Sequence, residues 1–150
     1  MNADWHPLGA ILYRKWHVYD MAWDDKIRLE NFIVCGAPFG GPIALMADER
    51  RVAATTDFKS KLLIVTSAGQ QLAEIEWTEK QIIGMGWSDQ EHLVVVQESG
   101  TVKIFDIHAK VITTFLLLEF SSTASVVECH FWGNGVAVIT SEMEIFVAEG

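Results

Sequence analysis

The chain has 150 residues, half of them apolar, with 11 basic against 20 acidic residues and a net charge of −9. That length holds one packed core, and the acidic balance excludes the cationic footprint that DNA, RNA or an anionic bilayer needs. The longest apolar run, FLLLEF at 115–120, contains Glu119 and falls far short of the roughly 20 residues that span a bilayer, so direct membrane insertion is not expected.

Residues 1–31 lack the basic start of a secretory signal, since no Lys or Arg precedes the short run Leu8–Leu12. With Trp5, Tyr13, Trp16 and Trp23 the segment is too aromatic for a loose tail. It is expected to pack on the sheets that follow or to supply an outer strand.

From residue 32 a unit recurs: an apolar strand ending near an aromatic, a short gap, a second apolar strand, a turn and a third strand. The first copy (32–77) ends its first strand at Phe39 and continues through Ile43–Met46, Leu62–Val65 and a fourth strand over 70–77. The polar stretch between Ala47 and Ser60 reads as a mobile surface loop. The second copy (82–115) runs to Trp87, then Leu93–Val96, Val102–Phe105 and 110–115. The third (126–150) runs to Trp132, then Val136–Ile139 and Met143–Phe146. The aromatic markers stand 48 and 45 residues apart, and each is expected to pack between neighbouring units.

Four short strands per unit of this length make the blade of a β-propeller. Runs such as LVVV at 93–96 are apolar on both faces, as strands sandwiched between blades must be. The fold class is therefore all-β: a partial propeller of about three four-stranded, WD40-like blades, the last one incomplete. Closed propellers use about four to eight blades, so these cannot close a ring. The expectation is the amino-terminal part of a larger propeller, or the product of a truncated gene, with an open blade face left as a binding or aggregation surface.

Candidate chemistry is sparse. Gly84 and Gly86 have the G-x-G spacing of a phosphate loop, but Asp89 occupies the third glycine position and β-branched residues follow where a helix should start, so no nucleotide site is expected. In Glu128-Cys129-His130 the thiol and imidazole point to opposite faces of a strand, and structural roles are expected. Asp106 and His108 share a face and read as a pair stabilising a turn, while Glu74 and Glu76 read as the wet face of an outermost strand. Asp24-Asp25 and Glu79 likewise read as solvated charge. His6, His17 and His92 have no metal-ligand spacing. Cys35 and Cys129 lie 94 positions apart with no C-x-x-C, which predicts a reducing, cytosolic setting. No catalytic, cofactor-binding or metal-binding residue is expected, and no enzyme. A WD40-type peptide reader would carry Gly-His and Trp-Asp landmarks in each blade; Gly-His does not occur, and the Trp-Asp pair present, Trp23-Asp24, lies ahead of the first repeat.

The elements YRK (13–15), APFGGPIAL (37–45), IIGMGWSDQEHLVVVQESGTVKIFDIHAKV (82–111) and VVECHFWGNGVAVIT (126–140) stand in one collinear order. In that order they resemble the amino-terminal region of the vacuolar protein sorting-associated protein 16 family, core subunits of the HOPS and CORVET tethering complexes. The resemblance implies a non-enzymatic subunit, a propeller followed by a helical solenoid, peripheral on endosome and vacuole or lysosome membranes. It also implies as partners the other class C subunits, with the SM-type SNARE-binding subunit docking on the solenoid, which this chain lacks. Gly40-Gly41-Pro42 and Gly84-Met85-Gly86-Trp87 match as propeller landmarks only. The stretch 116–125, LLLEFSSTAS, departs from the polar connection the family would lead one to expect.

Overall fold

The computed structural model describes residues 5–51, 58–119 and 123–150; part of the 47–60 loop and the middle of the 116–125 connection lie outside the described residues. A two-stranded ribbon, β1 (His6–Leu8) and β2 (Ile11–Tyr13), precedes three antiparallel sheets. Blade 1 is β3 (Phe32–Gly36), β4 (Ile43–Ala47), β5 (Lys61–Val65) and β6 (Gln71–Glu76). Blade 2 is β7 (Ile82–Trp87), β8 (Leu93–Gln97), β9 (Thr101–Phe105) and β10 (Val111–Leu116). Blade 3 has β11 (Val126–Trp132), β12 (Gly135–Thr140) and β13 (Ile145–Glu149). Within each blade every strand lies beside the next in sequence, the meander that short turns enforce.

One turn chemistry recurs across all three blades. Thr66, Ser88, Asp106 and Thr140 each stand at the end of a strand, and each side-chain oxygen accepts the N–H of the residue four positions on, at 2.9–3.2 Å. Ser88, Asp106 and Thr140 also accept the N–H two positions on. The backbone closes the same turn, and its fourth residue takes a left-handed conformation: Gly69 (φ 88°), Glu91 (58°), Ala109 (64°) and Met143 (64°).

This corrects one strand. Met143 and Glu144, expected in the third strand of blade 3, belong to the Thr140 turn, and β13 starts at Ile145. Met143 is exposed and gains nothing from its side chain, so Met143→Gly is expected to stabilise the chain by about 0.5–1 kcal/mol. Thr140→Val, which removes a fully buried acceptor of two amides, is expected to cost about 1–2 kcal/mol. Thermal melts of the two variants check both signs.

Packing follows the strand alternation. One face of blade 1 (Ala44, Leu62 and Ile64) meets one face of blade 2 (Met85, Trp87, Leu93, Val95 and Phe105), sealed at the edge by Trp77. The other face of blade 2 (Val96 and Val102) meets Val126, Val136 and Val138 of blade 3. Leu45, Leu62, Leu63, Ile64, Leu93 and Val95 have no exposed surface, and each contributes about 1.5–3 kcal/mol by burial. The first strands of the blades stand together, β7 against both β3 and β11, which sets the inner edge of an arc.

The aromatic markers divide. Trp87 is buried and donates its indole N–H to the carbonyl of Cys35 on β3 at 2.9 Å, fastening blade 2 to blade 1. Phe39, expected to pack between blades, does not: β3 ends at Gly36, the chain turns through Pro38–Gly40, and Phe39 at φ 59° projects wholly into solvent. Trp132 is half exposed and lies over Gly135 of its own blade, on the side away from blade 2. The apolar character of Leu117 and Leu118 has a packing cause: both pack in the contact between blades 2 and 3, Leu118 buried over Gly100, whereas Leu116 is exposed.

Candidate functional site

The residues singled out for chemistry do not converge. Gly84 and Gly86 lie inside β7, where a side chain would collide with β11: a Cβ at Gly86 would sit 2.3 Å from Phe131 Cγ, and one at Gly84 2.9 Å from Cys129 Cβ. Their role is close approach of two backbones, and no loop or helix amino terminus offers amides to a phosphate there.

Glu128 and His130 share the exposed face of β11, with Nε2 and Oε1 2.9 Å apart, while Cys129 points the other way into the contact between blades. Burial, reinforced by the Glu128 carboxylate, pushes the Cys129 thiol up to about 11, and burial also raises that of Cys35. A thiol ordinarily near 9 and raised to about 11 carries roughly a hundredfold less thiolate at pH 8. Alkylation of Cys129 in the folded chain is therefore expected to run about a hundredfold slower than that of a free thiol, followed by mass spectrometry with iodoacetamide.

Asp106 does not bond the His108 ring; its carboxylate accepts the backbone N–H groups of Lys110 and His108, both at 2.9 Å. Those amides, Lys110 first, hold its carboxyl below the usual carboxylate range. The stability this turn lends is present above the ordinary carboxylate pKa and lost as pH falls through the lower folded value. Glu74 pairs with Lys61 at 2.9 Å on β5 and the outer strand β6. Glu79 accepts from Lys103 and, at 2.6 Å, from Gln97, which lowers its carboxyl as well. Asp24 accepts the Lys26 amide. Among the described residues no group of three His, Cys, Asp or Glu side chains is placed to hold a metal, and no helix is long and apolar enough to cross a membrane.

What the arrangement offers is surface. A cleft of 470 Å³ opens where blades 2 and 3 splay, with Val94, Ile104 and Phe115 on one wall and Phe131, Val136 and Ala148 on the other. On the blade 1 side of blade 2, Ile107 and Ala109, from the turn between β9 and β10, pack against the shared core. The far face of blade 3 presents Trp132, Ile145 and Val147 to solvent, beside the unpaired outer edge of β13. The face of blade 1 turned away from blade 2 is covered in part by Trp23, Ile27 and Phe58, while Val34 on the inner strand stays half exposed. Sequence periodicity located the blades but not these surfaces, whose signal lay in which apolar residues lack a facing partner.

The geometry matches known propellers. The chain superposes on BamB from Moraxella catarrhalis with a TM-score of 0.57 at 10% identity, covering 78% of this chain and 31% of that one. On the BBS1N chain crystallised in complex with ARL6DN the TM-score is 0.52 at 12% identity, covering 77% and 36%. At such identities the likeness concerns the fold alone, an arc of about a third of a ring. Among curated proteins the chain is 32% identical over 147 residues to the vacuolar protein sorting-associated protein 16 homolog of Dictyostelium discoideum, and 36% identical over 143 residues to Protein VACUOLELESS1 of Arabidopsis thaliana. These alignments cover 96% and 92% of this chain but 17% of either relative. The family model described as Vps16, N-terminal region matches residues 1–150. The chain belongs to the Vps16 N-terminal region family.

Proposed function

We propose that the chain is the first arc of the propeller in a non-enzymatic subunit of a class C vacuolar protein sorting complex, of the HOPS and CORVET type. The subunit acts in endosome-to-vacuole or lysosome traffic by holding tethering machinery together, cytoplasmic and peripheral on those membranes. Its partners are the other class C subunits. The SM-type SNARE-binding subunit docks on a helical solenoid outside these residues. The observation that carries this reading is the family match along all of residues 1–150. The described surface supports it: apolar faces and strand edges are open, whereas Asp106 is held in a turn, Glu74 and Glu128 are held in surface pairs with Lys61 and His130, and Cys129 is turned into the packing.

The test is affinity purification of the full-length parent chain at low salt. Co-recovery of the other class C subunits is the expected result, and their consistent absence from extracts in which they are abundant contradicts the assignment.

A further inference from the structure

The loop between β3 and β4 holds out an aromatic ring that the packing of the blades does not use. Phe39 takes φ 59°, a region in which a bulky L-residue is strained, and its ring is 105% exposed. Glycine would hold the same φ without strain, and a ring in water gains nothing from burial. The loop is nonetheless fixed. Ala37 donates its N–H to the carbonyl of Pro42 at 2.8 Å, Gly41 donates to that of Pro38 at 3.2 Å, and the two proline rings lock their own φ angles. A ring carried on such a closed loop has little backbone freedom left to lose on binding, which is what a contact residue needs.

The surroundings of the ring define the partner it fits. Glu91, in the loop between β7 and β8, stands beside this loop, since a Cβ at Gly41 would come 2.7 Å from Glu91 Oε1. The β3–β4 loop therefore leans on blade 2, away from the open flank of blade 1. Glu91 and its neighbour Asp89 are exposed, and among the described residues neither carboxylate stands in an ion pair. Two such carboxylates repel an anionic lipid surface and attract a cationic side chain on a protein.

We propose that Phe39 is the anchor of a protein–protein contact. The partner supplies an apolar pocket that takes the ring, bordered by an Arg or Lys whose charge meets Glu91. One rigid aromatic in a pocket with an ion pair at its rim is the arrangement that concentrates binding energy in a few residues. The inference rests on the geometry of the β3–β4 loop and not on the sorting complex, so failure of the purification above leaves it standing.

The test places the photoreactive residue benzoylphenylalanine at position 39 of the full-length parent chain in its own cells, and cross-linked peptides are sequenced by mass spectrometry. The expected result is one dominant partner peptide carrying apolar residues and an Arg or Lys, whose yield falls at least about tenfold with Glu91→Lys and less steeply with Glu91→Gln. The purified parent chain with Phe39→Gly is expected to melt at or above the temperature of the unsubstituted chain, because the change relieves the left-handed φ and removes no buried ring. A lower melting temperature overturns the proposal in favour of a structural role for the ring. Cross-links confined to the parent chain overturn it in favour of an internal contact, and cross-links to lipid in favour of a membrane surface. Yields indifferent to Glu91, or the absence of a dominant partner peptide, overturn it outright.

Discussion

Gly86→Ala is expected to destabilise the chain by about 3 kcal/mol, far beyond the cost of an ordinary glycine replacement in a strand. The added Cβ would lie 2.3, 2.5 and 2.7 Å from Cγ, Cδ1 and Cβ of Phe131. The adjoining cleft gives the Phe131 ring room to swing, but the contact with Phe131 Cβ survives any rotamer, so β7 and β11 must move apart. The graded controls follow from the same geometry. Gly84→Ala, where the nearest atoms are 2.9 Å away on Cys129, costs less, and Gly36→Ala, with nothing within 4 Å, leaves stability nearly unchanged. Phe131→Ala placed beside Gly86→Ala restores only part of the loss, since the Cβ remains. Chemical denaturation of the four variants orders them.

Trp87→Ala is expected to cost about 3–5 kcal/mol, and Trp87→Phe about 1–2 kcal/mol. The first empties one of the two tryptophans buried between blades 1 and 2, in the same cluster as Leu93 and Phe105, which are almost fully buried. The second keeps most of the ring but removes the indole N–H that bonds the Cys35 carbonyl across the contact. Trp132→Ala, by contrast, removes a half-exposed ring lying on its own blade and costs distinctly less. Unfolding midpoints separate the three, and equal losses at Trp87 and Trp132 would show that the sequence markers are equivalent after all.

That inequality marks how far the sequence could be read. Blade positions were legible because a strand buried on both faces must be apolar throughout, as Leu93–Val96 is, and because turns need Gly or a side-chain acceptor at fixed offsets. The fates of Phe39, Trp87 and Trp132 were not, because an aromatic at a strand end reads alike whether its ring meets a neighbouring blade, its own sheet or water. Pro38 and the following glycines decide the matter for Phe39 by ending β3 early. The turn code escaped notice because its first residue varies among Thr, Ser and Asp, and its left-handed residue among Gly, Glu, Ala and Met. Physically the four are one device, since any short oxygen acceptor serves and the left-handed position is forced by closure. The divergence of Cys129 from His130 was legible from strand alternation.

The blades form an arc whose inner strands β3, β7 and β11 stand side by side, with the glycines of β7 against β11. A density map of the full-length parent chain tests it most directly. The expected map shows Phe131 stacked over Gly86, Trp87 bonded to the carbonyl of Cys35, and the three blades in consecutive positions of one closed ring. Blades 1 and 2 separated in that map, or a β7 whose glycines face solvent, would contradict it.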